Sequence, residues 1–179
     1  MSERSTPNRT NVVPNTGDIG EVRVEPYTGA RARLRPLFEL AEDSPAQLDT
    51  YLASGRVLVA RRGCEVVGHL QLIETDRPDE VELKNMAVRE DRQGQGIGAR
   101  LVRAAVELLA AEAASMLVVA TATADIGNLR FYQRQGFRMR AIERDAFTLA
   151  TGYDPGIRIN GIALRDRVWL DHQLAPAAR

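Results

Sequence analysis

The side chains and amides best placed to do chemistry in this sequence lie in one short run, Gln93-Gly94-Gln95-Gly96-Ile97-Gly98. Glycines on three alternate positions let several backbone N–H groups converge on one point, because no Cβ blocks a close approach. The run stands where an extended stretch, residues 81–88, gives way to Ile97, Leu101, Val102, Ala105, Val106 and Leu109 at helical spacing. Converging amides at the start of a helix attract an anion, and the helix macrodipole strengthens that attraction. Arg89, Arg92 and Arg100 flank the run and are expected to supply full charges for further phosphates. The spacing is neither the G-x-G-x-x-G of a dinucleotide fold nor the G-x-x-x-x-G-K-[ST] of a mononucleotide loop.

A second candidate follows at Phe131-Tyr132-Gln133-Arg134-Gln135-Gly136-Phe137. Gly136 suits the left-handed residue that ends a helix, and Phe137 restarts an extended segment. The Q-x-x-G-x-G run and this F-Y-x-x-x-G-F segment, in that order and separated by one helix and one strand, resemble the two signatures of the GNAT superfamily of N-acetyltransferases. The resemblance covers residues 56–145 closely and the remainder loosely.

The resemblance implies an α/β (α+β) GNAT fold, a mixed and mostly antiparallel twisted sheet flanked by helices. It implies acetyl-CoA as acyl donor and an amine acceptor, a small molecule or a peptide, attacking the thioester directly in a ternary complex. Gln93, Gly94, Gln95, Gly96, Ile97 and Gly98 would hold the pyrophosphate. Met86, Ala87 and Val88 would bind the pantetheine arm through their backbone, with the Val88 N–H polarising the acetyl carbonyl. Tyr132 would touch the sulfur and protonate the departing thiolate. Glu82 stands ahead of Gln93 as the catalytic glutamate does in histone-type members. An unperturbed lysine-like amine, with a pKa of about 10.4, is less than about one part in 10³ nucleophilic at neutral pH, so a base is needed. Glu82 is that base or an exposed strand charge. The family's commonest pattern puts an asparagine seven residues before the tyrosine, where this chain has Asp125; Asn128 takes over a cofactor contact, caps a helix or simply faces solvent. The same fold could serve as a non-catalytic module that binds or senses acyl-CoA. The family also often forms dimers.

Positioning these residues requires a scaffold that the remaining pattern outlines. At 179 residues the chain suits one domain, read as 21–175 after a flexible tail over 1–20 rich in Ser, Thr, Asn, Pro and Gly. A strand is expected over 22–26, and a helix over 31–41 that Pro36 delays or kinks. A second helix should follow Ser44 as cap, with Pro45 at its first position and Leu48, Tyr51 and Leu52 inward. A hairpin follows, with strands over 56–61 and 66–74. Its His69 is a proton carrier or a hydrogen-bonded structural residue.

Strict alternation along the next strand would put Glu82, Lys84, Met86 and Val88 on one face, with Val81, Leu83, Asn85 and Ala87 on the other, unless a bulge intervenes. A helix over 97–114, a strand over 116–121 and a last strand over 162–170 complete the reading. Tyr153, Arg158, Asn160 and His172 are candidates for the acceptor side or a dimer contact.

Zero formal charge argues against nucleic acid as partner, and the lone Cys64 excludes a disulfide within the chain and a cysteine-rich zinc site. No metal is implied. Residues 1–20 lack the apolar run of a signal peptide, and no stretch approaches a membrane span, so a cytoplasmic location is expected.

Overall fold

A computed structural model describes residues 21–174. The tail read over 1–20 and the domain's last residue, 175, lie outside the described residues. Seven strands form one sheet in the order β1-β2-β3-β4-β5-β9-β6. They are β1 (Val22–Pro26), β2 (Arg56–Arg62), β3 (Glu65–Glu74), β4 (Glu80–Val88), β5 (Met116–Ala122), β6 (Arg138–Glu143) and β9 (Arg167–Gln173). Only β4 and β5 run parallel; every other neighbouring pair is antiparallel. The fold is the mixed, mostly antiparallel sheet with flanking helices that the motifs imply.

The helices sort to the two faces by their apolar stripes. On one face α3 (Ile97–Ala111) buries Ile97, Leu101, Val102, Ala105 and Leu109 against Leu70, Leu72, Val81, Leu83, Leu117 and Val119 of the central strands. Tyr132 of α4 (Ile126–Arg134) and Phe137 join that core. On the other face α1 (Arg35–Phe38) and α2 (Pro45–Tyr51) bury Leu37, Phe38, Leu48 and Tyr51 over Val57 and Val59.

Several local expectations are borne out and some are corrected. The Ser44 side chain accepts from the Gln47 N–H and caps α2 as read, with Pro45 at its start. The helix over 31–41 is instead one four-residue α turn with 3-10 turns at both ends, since Pro36 confines regular hydrogen bonding to a single turn. Helix α3 stops at Ala111, and Ala113 takes a positive φ of 62°. The last strand is two pieces. Ile162–Ala163 (β8) pairs with Arg158–Ile159 (β7) in a small separate hairpin, and β9 starts only at Arg167.

The correction with most bearing on chemistry lies in β4. Gln71 of β3 pairs with Asn85 but Leu72 pairs with Leu83, so Lys84 is an extra residue, a bulge. Beyond it the faces exchange. Val81 and Leu83 share the α3 face with Met86 and Val88, whereas Asn85 turns to α1 and α2, donating to the Phe38 carbonyl at 3.3 Å.

Candidate active site

The bulge falls where β4 and β5 part company. Their parallel pairing runs from Glu80 with Met116 to Leu83 with Val119 and then stops, although both strands continue. A bulge bends its strand, and here the bend leaves β4 and β5 splayed, with main-chain groups facing the gap. The Arg89 N–H donates to the Val67 carbonyl of β3 at 2.9 Å. Since amide direction alternates along a strand, Val88 and Met86 aim their N–H groups away from β3, into the gap. The Val88 carbonyl, on the same side, accepts from Gln93 Nε2 at 3.1 Å and so ties the strand end to the glycine loop.

A cleft of about 960 Å³ runs through this gap. Met86, Ala87, Val88, Gln93, Gly94, Gly96, Ile97, Gly98, Asn128, Tyr132 and Glu82 all line it, so eleven of the twelve residues that the resemblance gives to catalysis or cofactor binding converge there. Gln95 does not line the cleft; its Oε1 lies 3.5 Å from Arg62 Nη1 on the outer side of the loop. Gly94 and Gly96 have φ of 73° and 77°, the left-handed region in which a Cβ is strained. Among the described residues nothing lies within 4 Å of where their Cβ atoms would stand, so the loop borders open space. Gly98 matters for packing instead, since a Cβ there would sit 3.3 Å from the Phe131 ring and its absence lets α4 close on α3. The loop therefore offers amides, a helix start and room, which suit a diphosphate.

The arginines divide differently from expectation. Arg89 is occupied by Asp91 and Glu65, whose hydrogen bonds hold its pKa above the ordinary value. Arg100 donates to the Val22 carbonyl at 3.1 Å. Arg92 lines the cleft but shares the same carboxylates, at 3.5 Å from Asp91 and 3.8 Å from Glu65, and Arg130 and Arg134 of α4 line the cleft too. These two were missed because their part depends on how α4 docks, which no local pattern records.

The sequence matches the family model for the acetyltransferase (GNAT) family over residues 23–137. The chain belongs to the GNAT family of acetyltransferases. An uncharacterized N-acetyltransferase of Bacillus subtilis (strain 168), YvbK, is 37% identical over 156 residues, covering 86% of this chain and 99% of that protein. The crystal structure of a Bacillus subtilis acetyltransferase in complex with CoA shares 37% identity at a TM-score of 0.78, over 87% of this chain and 100% of the other. A GNAT family acetyltransferase from Elizabethkingia anophelis with acetyl-CoA bound shares 30% identity at a TM-score of 0.77, over 86% of this chain and 98% of the other.

In this GNAT protein the cleft joins the two faces of the sheet. Tyr132 belongs to the α3 side, where burial first and then the charge of Asp125 push its pKa up, so the hydroxyl stays protonated at neutral pH. Asp125, at the position where the family usually has asparagine, caps α4 by accepting from the Asn128 N–H at 2.8 Å. Asn128 itself lines the cleft, with Nδ2 3.5 Å from Thr121 Oγ1. Glu82 lies toward α2, held 3.2 Å from Lys84, whose ammonium stands 5.3 Å over the Tyr51 ring.

A polar chain that sequence reasoning did not find lies on this second face. His69 Nε2 is 2.9 Å from Asn85 Oδ1, and Asn85 Nδ2 donates to Tyr51 Oη at 3.0 Å. Tyr51 donates in turn to Glu42 Oε2 at 3.0 Å, and Tyr153 donates to Glu42 Oε1 at 2.9 Å. Glu42, Tyr51, Asn85 and Tyr153 all line the cleft. Tyr153, a candidate from sequence, thus lines the cleft. Arg158, in β7, and Asn160, in the β7–β8 turn, do not line the cleft, and His172 packs on Phe137. The structural alternative holds for His69, which is wholly buried. Among the described residues no group of three or more His, Cys, Asp or Glu is placed to hold a metal, and no helix is long and apolar enough to cross a membrane.

Proposed function

We propose that this chain is an acetyl-CoA-dependent N-acetyltransferase that acts on a primary amine by direct transfer. The observation that carries the reading is the gap between β4 and β5, which ends at the left-handed Gly94 and Gly96 and has buried Tyr132 in its lining. CoA and acetyl-CoA in the two related crystal structures support the choice of donor. The amides of Gln93 to Gly98 bind the diphosphate, and the arm lies against Met86 to Val88 like an added strand.

In the reaction the amine nitrogen attacks the acetyl carbonyl carbon, forming C–N while C–S breaks. The Val88 N–H stabilises the oxyanion that develops between those events, a contribution of about 3 kcal/mol for donors of this kind. Glu82, directly or through water, takes the proton that the amine must lose. Tyr132 gives a proton to the departing thiolate and regains one from solvent. The products are the N-acetyl amine and CoA. The domain over residues 21–175 carries the reaction, in the cytoplasm.

The test combines calorimetry with CoA and thiol release from acetyl-CoA across a panel of primary amines. Micromolar binding, release that depends on the amine, and a kcat loss of about 10² or more in Tyr132→Phe are expected. Full activity in Tyr132→Phe would remove the assignment of the acid. Binding with no release on any amine would point to a sensing module instead.

A further inference from the structure

We propose that Glu42 selects the acceptor and that the favoured acceptor is a short amine bearing a second, non-reacting positive charge. The inference deepens the acetyltransferase reading and rests on it. Glu42 lies in the turn between α1 and α2, borders the cleft, and has both oxygens engaged by neutral donors. Oε2 accepts from the Tyr51 hydroxyl at 3.0 Å; Oε1 accepts from the Tyr153 hydroxyl at 2.9 Å and from the Ser44 N–H at 3.0 Å. Such donors fix the direction of a carboxylate without cancelling its charge.

Two cations that line this half of the cleft already have carboxylate partners. Lys84 pairs with Glu82, and Arg167 pairs with Glu143 at 3.2 Å. Among the described residues Glu42 itself has hydrogen-bond donors but no ion pair, and burial first, then the charges of Glu42 and Asp125, raise the pKa of neighbouring Asp43. The surrounding aromatic faces already receive cations, with Lys84 over Tyr51 and Arg167 Cζ 5.1 Å from the centre of the Phe147 ring.

A nitrogen must be neutral when it attacks the thioester, so a fixed anion gives little net help to the reacting amine. A second ammonium remains charged throughout. Its attraction to Glu42 acts equally on ground and transition states and therefore appears in KM rather than kcat. A terminal carboxylate would meet repulsion at the same point.

The experiment uses the full chain with saturating acetyl-CoA and three amines of one length: putrescine, butylamine and γ-aminobutyrate, whose tails are cationic, neutral and anionic. We expect kcat/KM to fall in that order, by at least about tenfold between the first two, equivalent to about 1.4 kcal/mol. Glu42→Gln should flatten the series by raising KM for putrescine, with the calorimetric affinity for CoA unchanged. Glu42→Asp, which keeps the charge, should retain the order. Equal use of putrescine and butylamine by the wild type overturns the proposal, as does an order that survives in Glu42→Gln. Loss of CoA affinity in Glu42→Gln overturns it too, because it would make the carboxylate a structural tie. A wild-type protein that binds no CoA refutes the acetyltransferase reading itself, a result distinct from any of these.

Discussion

Lowering the pH should destabilise this protein through His69, and the size of the effect follows from where that ring sits. His69 is wholly buried, stacked on Phe38 with ring centroids 4.0 Å apart, and its Nε2 faces the Asn85 carbonyl oxygen at 2.9 Å. Nδ1 is buried without a partner among the described residues. Nε2 therefore carries the proton of a neutral ring, and a second proton on Nδ1 would place charge where nothing receives it. Burial above all, with a smaller contribution from Arg31, lowers its pKa from 6.5 to about 4, against the hydrogen bond to Asn85. Between those two values the unfolded chain binds a proton that the native chain refuses. The stabilisation is complete above the unfolded value and is lost as pH falls toward the folded one. At about pH 5 the loss is about 2 kcal/mol, and by about pH 4 it is about 3 kcal/mol.

Urea denaturation at several pH values, comparing wild type with His69→Gln, isolates this contribution from the carboxylates that titrate in both. The chain has only two histidines, so NMR titration of the ring protons identifies His69 directly. Wild type should lose about 2 kcal/mol more than the variant between about pH 7.5 and 5. Equal losses, or a His69 resonance titrating near its ordinary value, would refute the account. Because Asn85 also holds the Tyr51 hydroxyl, protonating His69 should loosen the α2 side of the cleft before the chain unfolds.

Gly96→Ala should weaken CoA binding while leaving the fold intact. Its Cβ meets open space but the φ of 77° is strained, at about 1 kcal/mol, readable as a shift in calorimetric affinity together with a small fall in Tm. Ser44→Ala removes the cap of α2 and should cost about 1 kcal/mol in urea denaturation. Leu101→Ala, on the wholly buried face of α3, should cost about 3 kcal/mol by the same measurement.

What the sequence determined by itself was the glycine-rich end of the cleft and the helix ends beside it. Gly94, Gly96 and Gly98, the helix that follows them, and Tyr132 ahead of Gly136 are local in the chain. Backbone permissiveness and helix starts depend on neighbours in sequence, so type and spacing reveal them. The tertiary structure decided the rest. The bulge at Lys84 is visible only when β3 is paired with β4, and it moves Asn85 to the α2 face and Met86 to the α3 face, opposite to strict alternation. Arg89 and Arg100 looked free to bind phosphate until Glu65, Asp91 and the Val22 carbonyl were brought beside them. Glu42 and Tyr153, 111 positions apart, share a hydrogen bond that no periodicity encodes. Directional polar contacts between distant segments depend on how helices and loops dock onto the sheet, and docking is a property of the whole packed chain.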